Sequence, residues 1–395
     1  MMGATDQQPN MFHTVQITDL VPEDHPLRKI RPLIDTGKIR ELCKPFYCEN
    51  NGRPSIPPEQ LFLALVGGYL LGVRSDRKLI MELQCNMAFR WFVGLDISSP
   101  VWDPSTFSKN REHRFDESGV LERLFDKTVK FAKQKGLVSD HWSVDGTLVR
   151  ADASHKSFVP IELYRSPEEY KKIIRGSSSE KTQENQRTTV APPVQKDDDP
   201  GNPSVDWKGQ KRSNKTHISK TDPDSRLATK SSKEAALPSY NVNAVMENRN
   251  RIILGIDVEK TRGPASEREG ALKIIKRTKK RFKLKPKTLG ADKGYFEKKF
   301  IKGLFRHKIE PHVATHSWGS EKTHTRVRMR ERGFAYRLSQ KARKKIEELW
   351  GEAKEEHGFR RFCRRRLQNV RQEALMIGWI LNLKHLATIL GPGFA

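Results

Sequence analysis

One short stretch limits the folds open to this chain more than any other. Residues 142–150 read Trp-Ser-Val-Asp-Gly-Thr-Leu-Val-Arg, and apolar residues alternate there with polar or small ones as in a half-buried β-strand. Asp145 interrupts the pattern and Gly146 follows it. An Asp-Gly pair alone indicates a turn more often than a functional carboxylate. Two later stretches reverse that balance and make Asp145 our first candidate metal ligand.

The charge of the chain indicates its partner. Its 395 residues include 74 Lys and Arg against 48 Asp and Glu, a net charge of +26. Such an imbalance destabilises a fold through self-repulsion unless a polyanion neutralises it, so nucleic acid is the expected partner. A membrane-surface protein would share the charge, but we find no basic amphipathic helix with exposed aromatic residues. The apolar stretches 61–73 and 374–390 read as core helices, so no membrane is expected.

The four cysteines show no repeated metal-binding spacing, and we interpret them as reduced residues of a cytoplasmic protein. The first third of the chain is predicted to be helical, because capped amphipathic segments follow one another over 24–136. We therefore predict an all-α DNA-binding domain over 15–138. Seven basic residues could give it a face for duplex DNA, although an ordinary solvated surface is about equally compatible. They are Arg74, Arg77, Lys78, Arg90, Lys109, Arg111 and Arg114.

Residues 139–395 are predicted to form an α/β domain. A polar segment, 165–236, reads as an insertion that is largely loop, of which 217–226 is expected to pack on the core. A hairpin follows, and then a basic helix opened by the capping box Ser266-Glu267-Arg268-Glu269. The predicted order from residue 142 is β, long loop, β, β, α, β, α, β, α.

Two more carboxylates fall on elements of this order. Asp292 follows a short apolar strand, 288–291, at the carboxyl end where open α/β sheets bind ligands. Glu347 lies on a helix predicted over 339–356, in a polar stripe that alone would more often be a row of helix ion pairs. The stripe comprises Gln340, Arg343, Glu347 and Lys354. Together the three carboxylates fit a two-metal site for phosphodiester chemistry, since oxygen ligands suit Mg²⁺ or Mn²⁺.

With these motifs the sequence resembles the bacterial insertion-sequence transposases that have a DDE catalytic domain. Val144-Asp145-Gly146-Thr147 is similar to the family's first-aspartate strand, Ala291-Asp292-Lys293-Gly294-Tyr295 to its second-aspartate motif, and Arg343-x3-Glu347-x6-Lys354 to its glutamate helix. The helical part around Arg90-Trp91-Phe92 also resembles the family's N-terminal domain. Gln340 departs from the pattern, because the family often has Tyr at that position.

The resemblance implies a ribonuclease H-like mixed sheet with flanking helices, preceded by the all-α domain. It implies an enzyme that cleaves DNA at the ends of its own element and joins the freed 3′-hydroxyl to target DNA. Asp145, Asp292 and Glu347 would bind two Mg²⁺ or Mn²⁺ ions. Arg343 and Lys354 would hold phosphates. Lys293 and Tyr295 are weaker DNA-binding candidates.

The expected partners are the double-stranded terminal inverted repeats of the element and the target DNA. The expected assembly is a homodimer or larger complex, associated with the nucleoid in the cytoplasm. Two alternatives stay open on the sequence. One is a catalytically inactive DNA-binding protein derived from a transposase, and the other is a structure-specific ribonuclease H-like nuclease that cleaves without joining.

Overall fold

The computed structural model describes residues 15–48, 55–166, 169, 206–207, 210–229, 234–316, 325, 327–329, 331 and 333–391. Helices occupy this part of the chain up to residue 134, as the sequence predicts. They are α1 (Pro26–Ile30), α2 (Thr36–Cys43), α3 (Pro58–Leu70), α4 (Asp76–Cys85), α5 (Met87–Val93), α6 (Ser105–Asn110) and α7 (Val120–Gln134). A π-helical segment, Arg111–Asp116, follows α6.

Strands and helices alternate in the remainder. The strands are β1 (His141–Arg150), β2 (Phe158–Pro160), β3 (Asp206–Trp207), β4 (Gln210–Lys211), β5 (His217–Ser219), β6 (Arg226–Ala228), β7 (Leu237–Glu247), β8 (Ile253–Lys260), β9 (Thr288–Ala291) and β10 (Glu310–Val313). The helices are α8 (Pro264–Phe282), α9 (Lys298–Arg306), α10 (Phe334–Glu355) and α11 (Leu367–Leu390). The order of the principal elements is the predicted one.

The main sheet is mixed. Its strands lie in the order β10-β9-β1-β7-β8, and β6 pairs with the start of β7. The neighbours β1, β7 and β8 are antiparallel, with the short turn between β7 and β8 joining them as a hairpin. In contrast β9 and β10 run parallel to β1, because a helix crosses over before each of them. This arrangement is the predicted ribonuclease H-like sheet.

Helices cover both faces of the sheet. On one face α8 lies so close to β8 that a Cβ on Gly255 would come within 2.7 Å of the Ile274 side chain. On the other face lie α10 and α11. Asn382 of α11 accepts a hydrogen bond from the Ile253 amide (2.7 Å) and donates one to the Ile253 carbonyl (2.8 Å). A buried amide that uses both of its ends in this way fixes α11 against the edge of the hairpin.

The C-terminal helix α11 joins the sheet to the N-terminal helices. The Trp379 indole donates to Thr128 Oγ1 of α7 at 2.8 Å, and its ring lies 6.0 Å from that of Phe62 in α3. By length and composition α11 could cross a membrane, but 67% of its most apolar window is buried inside the protein. It is therefore a core helix, as the sequence predicts.

One local prediction needs correction. The capping box at Ser266 is wrong, because α8 begins two residues earlier, at Pro264, and Ser266 Oγ instead donates to the Gly263 carbonyl. The seven basic residues considered for a face toward duplex DNA differ in exposure: Arg77, Lys78 and Lys109 are exposed, and the other four are buried or partly buried. Arg90 is 3% exposed and donates to backbone carbonyl oxygens, including that of Leu83. Arg74, Arg111 and Arg114 contact Glu373, Asp76 and Tyr47 respectively.

The prediction for 217–226 is confirmed. Asp222 is fully buried, accepts a hydrogen bond from the Tyr240 hydroxyl (2.7 Å) and accepts another from the Arg366 amide (3.0 Å). This end of the predicted insertion therefore packs between β7 and the start of α11. Most of 165–205 lies outside the described residues.

Candidate active site

Asp145 and Asp292 lie where β1 and β9 separate. The parallel pairing of these strands ends at Ser143 with Gly290, and each aspartate lies two residues further on in the same register. Beyond that point β1 continues along β7, whereas the chain leaves β9 in a 3₁₀ turn, Lys293–Tyr295. The two side chains therefore border an opening at the carboxyl ends of parallel strands, which is where open α/β sheets bind ligands.

The opening concentrates negative charge in a region of low water access. Burial, together with the nearby carboxylates of Asp292 and Glu267, raises the pKa of Asp145 to about 7. Asp292 Oδ1 is buried and has no hydrogen-bond partner among the described residues. Buried carboxylates cost free energy unless a donor or a cation compensates them. Carboxylate oxygens are the ligands that Mg²⁺ and Mn²⁺ prefer, so these residues fit a divalent-cation site.

The polar stripe of α10 faces this part of the sheet. At one end, Gln340 Nε2 donates to the His312 carbonyl at 2.5 Å. At the other end, Lys354 Nζ donates to Thr147 Oγ1 at 2.5 Å. Arg343 lies between them, close enough to Asp145 for its charge to lower the pKa of that carboxyl. The buried residues of α10 lie beside the stripe, as predicted: Ile346, Leu349, Trp350 and Ala353.

Glu347 belongs to the stripe but lies outside the half-buried group of carboxylates at the opening. Its side chain is 53% exposed, and its carboxylate accepts a hydrogen bond from Arg343 Nη1 at 2.6 Å. The neighbouring Glu348 points elsewhere and pairs with Arg251. The structure therefore brings Asp145, Asp292 and Arg343 together and leaves the Glu347 carboxylate paired at the rim.

Within the described ranges, one group of three His, Cys, Asp or Glu residues has all its ligand atoms within 4.8 Å, and it is not the predicted triad. The group is Glu352, Glu356 and His357. The Lys384 ammonium lies 2.5 Å from Glu352 and 2.6 Å from Glu356, so it already supplies a positive charge there. The triad carboxylates are further apart. Ligands on opposite sides of two ions, themselves about 3.5–4 Å apart, can have such spacing.

Sequence reasoning missed one residue of the group of carboxylates at the opening, Glu267 in the first turn of α8. A Cβ built on Gly146 would come within 2.5 Å of Glu267 Oε1, so this carboxylate fills the space beside Gly146. The Tyr295 hydroxyl donates to the same oxygen at 3.0 Å. Burial raises the pKa of Glu267, as does the charge of Asp292, while the Tyr295 hydrogen bond opposes the shift. The only feature of the sequence that could have identified Glu267 as part of the site was its place in the first turn of the helix that follows the hairpin.

The two remaining predicted DNA-binding residues have different surroundings. Lys293 is exposed beside Asp292. Tyr295 is 1% exposed and its hydroxyl is engaged by Glu267. In this conformation Tyr295 therefore supports the site from within and does not offer a surface to DNA, contrary to our expectation.

Two family models match parts of this chain. A family model described as "Transposase domain (DUF772)" matches residues 15–113, and one described as "Transposase DDE domain" matches residues 204–383. The second match contains Glu267, Asp292 and Glu347 and begins after Asp145. No curated protein matches the chain.

One solved structure, described as "Mos1 transposase paired-end complex with left transposon end", is similar over 79% of this chain and 82% of that chain. The identity is 9% and the TM-score is 0.20, a likeness too low to carry an argument about either fold or function. The assignment of a family therefore depends on the two family models, one matching the helical region and one matching the sheet. The chain belongs to the family of insertion-sequence DDE transposases.

Proposed function

We propose that this protein cleaves DNA at the ends of an insertion sequence and transfers the freed 3′-hydroxyl to target DNA, in a metal-dependent reaction. The observation that carries the proposal is the position of Asp145 and Asp292, in one register at the point where β1 and β9 separate. In a DDE transposase this is where a half-buried pair of carboxylates can hold cations against a phosphate.

Asp145 and Asp292 would hold the metal ions, and Glu347 would complete the set. A pair of Mg²⁺ or Mn²⁺ ions, when bound, offsets the charge of the reacting phosphate and makes the attacking hydroxyl more acidic. To reach the site, Glu347 must exchange its ion pair with Arg343. That exchange costs little free energy, because an ion pair with a half-exposed partner stabilises a protein by only about 0–1 kcal/mol.

The cations around the site suit the DNA backbone. Arg343, once released from Glu347, presents a planar guanidinium that can hold a phosphate through two hydrogen bonds. Lys354 at the far end of the stripe and the exposed Lys293 would bind phosphates on either side. The net charge of +26 favours double-stranded DNA as the partner, both at the terminal repeats and at the target, in the nucleoid. Since two ends must react together, we propose a homodimer or larger active complex.

The test is cleavage of labelled element-end DNA in Mg²⁺ or Mn²⁺, comparing the intact protein with Glu347→Gln and Glu348→Gln. Glu347→Gln keeps the shape of the side chain, removes one metal-binding charge and should lower the cleavage rate roughly a thousandfold. Glu348→Gln is the matched control, since Glu348 is the adjacent exposed carboxylate and points away from the site. Equal cleavage by both variants would exclude Glu347 from the reaction.

A second assay separates the proposal from its alternatives. DNA with a precut end that carries a free 3′-hydroxyl is incubated with target DNA, and joined products are measured. A transposase joins the strands, whereas a nuclease yields no joined product. Element-end binding by the intact protein without any cutting or joining would favour an inactive DNA-binding protein.

A further inference from the structure

The carboxylate of Glu267 has an unusual position for an acid at the start of a helix. Acidic residues are favoured in a first helical turn because they face the positive end of the helix dipole, usually in contact with water. Glu267 instead turns onto β1, where its Oε1, Cδ and Cγ atoms lie within 2.7 Å of the position that a Gly146 Cβ would occupy. This places a third negative charge beside Asp145 and Asp292, where repulsion opposes it.

A hydrogen bond from the second-aspartate motif holds Glu267 in that position. In a 3₁₀ turn, residues three apart lie on the same side, so Tyr295 follows Asp292 on one side of the turn Lys293–Tyr295. The Tyr295 ring packs against Phe300 with centroids 5.0 Å apart, and its hydroxyl donates to Glu267. The turn that carries Asp292 thus also orients Glu267.

We propose that Glu267 is a fourth carboxylate of the metal site, supplied by the first turn of α8, and that Tyr295 is the positioning residue that aims it. This inference rests on the proposed function, because it takes the opening between β1 and β9 to be the metal site. With Glu267, three carboxylates surround the opening before Glu347 moves: Asp145 and Asp292 from the two strands and Glu267 from the helix on the opposite face of the sheet.

The arrangement makes Gly146 part of the same site. The φ angle of Gly146 lies outside the left-handed region, so its backbone does not require glycine. The space occupied by the Glu267 side chain does require it. A close approach of this kind is one of the physical reasons for glycine within a strand. The Asp-Gly pair of β1 therefore supplies one carboxylate and admits another.

The experiment measures binding of Mn²⁺ to the full-length protein without DNA, by calorimetric titration and by the loss of the free Mn²⁺ electron paramagnetic resonance signal. The variants are Glu267→Gln, Asp292→Asn and, as the control, Glu269→Gln, which changes an exposed carboxylate two residues along the same helix. We expect Glu267→Gln to weaken Mn²⁺ binding roughly ten- to a hundredfold, toward the effect of Asp292→Asn. Glu269→Gln should bind as the intact protein does.

Thermal unfolding without metal provides a second readout. Glutamine keeps an oxygen that can accept the Tyr295 hydrogen bond and loses only the charge, so Glu267→Gln should unfold at the same temperature as the intact protein or higher. If Glu267 instead had a structural role only, the variant would unfold at a lower temperature and bind Mn²⁺ normally. That result would overturn the proposal.

The Mn²⁺ titration also separates this inference from the proposed function. If Asp292→Asn weakens binding and Glu267→Gln does not, Glu267 is outside a metal site that is otherwise real. If neither variant changes the binding, the site itself is wrong and both proposals fail together. If both weaken binding but no element-end DNA is cut, Glu267 is a metal ligand in a protein that does not carry out the proposed reaction.

Discussion

Asp145 and Asp292 continue the register of two paired strands at positions where the strands are no longer paired. Ser143 and Gly290 form the last pair, and a Cβ on Gly290 would lie 3.3 Å from Ser143 Oγ and 3.6 Å from the Arg343 Cβ. The small residues at this pair let α10 approach the sheet closely. That approach brings the Arg343 charge near Asp145. The place where the pairing of β1 and β9 ends therefore determines where the acidic opening lies and which cationic side chain lies beside it.

Replacing Gly146 should impair the metal site without removing any carboxylate. In Gly146→Ala the new methyl group would come within 2.5 Å of Glu267 Oε1, closer than two such atoms can approach, so the Glu267 side chain must shift. We expect Mn²⁺ affinity to fall roughly tenfold or more, as for Glu267→Gln. Gly351→Ala is the control, because a Cβ there meets no atom within 4 Å. Unchanged Mn²⁺ affinity in Gly146→Ala would show that Glu267 does not contribute to binding.

Lys354 should contribute to DNA binding and not to metal binding. Its ammonium contacts Thr147 of β1 and lies near the opening, where a phosphate can replace the hydroxyl as its partner. In Lys354→Met, we expect weaker DNA binding and a slope of log K against log salt that is smaller by about one. Lys344→Met changes an exposed lysine away from the stripe and is the control. If log K for DNA binding fell with log salt at the same slope in both variants, Lys354 would not bind a phosphate.

Local sequence patterns were enough to predict the strands and helices that carry the three family carboxylates. The alternation around Asp145 and the spacing of Gln340, Arg343 and Lys354 are short-range properties, and the elements formed as expected. Glu267 could not be assigned in this way, because its role depends on α8 packing across β1. Its apparent place in a capping box was the stronger local signal, and that signal was wrong.

The roles of individual cations also depended on tertiary contacts. Arg74 and Arg90 look like surface charges in the sequence, yet both are drawn inward by acceptors distant in the chain or on a tight turn. Tyr295 was a candidate for DNA contact, and the 3₁₀ turn buries it instead. A pattern of charge therefore predicts the class of partner better than it predicts which side chains meet that partner.

His141 should make the protein less stable in mild acid. Burial and the neighbouring His312 lower the pKa of His141 to about 4, whereas an unfolded histidine titrates near 6.5. Between these values the unfolded chain binds a proton that the folded protein does not, so the free energy of unfolding falls as the pH decreases from about 6.5 to about 4. The contribution is up to about 3 kcal/mol. Its neutral Nδ1 lies 2.6 Å from Thr288 Oγ1.

Urea unfolding from pH 7 to pH 4 tests this prediction. His141→Gln removes the titrating group and should show a smaller loss of stability over that range than the intact protein. His113→Gln changes a histidine whose side chain is 69% exposed and should follow the intact protein. If the free energy of unfolding changed with pH in the same way for the intact protein and His141→Gln, His141 would be protonated equally in the folded and unfolded states, and the prediction would be wrong.

The ion pair between Arg74 and Glu373 should be the electrostatic contact that contributes most to holding the N-terminal helices on α11. Its side chains are 9% and 0% exposed, and Glu373 also accepts hydrogen bonds from the Cys363 and Arg364 amides. In Glu373→Gln the buried Arg74 charge loses its counterion, so we expect the free energy of unfolding in urea to fall by about 3 kcal/mol. Glu355→Gln breaks an exposed pair with Arg360 and should cost less than about 0.5 kcal/mol. The large difference follows from desolvation, because water can replace the partner of Arg360 but cannot reach Arg74. Equal stability losses would mean that water enters the contact between α11 and the N-terminal helices.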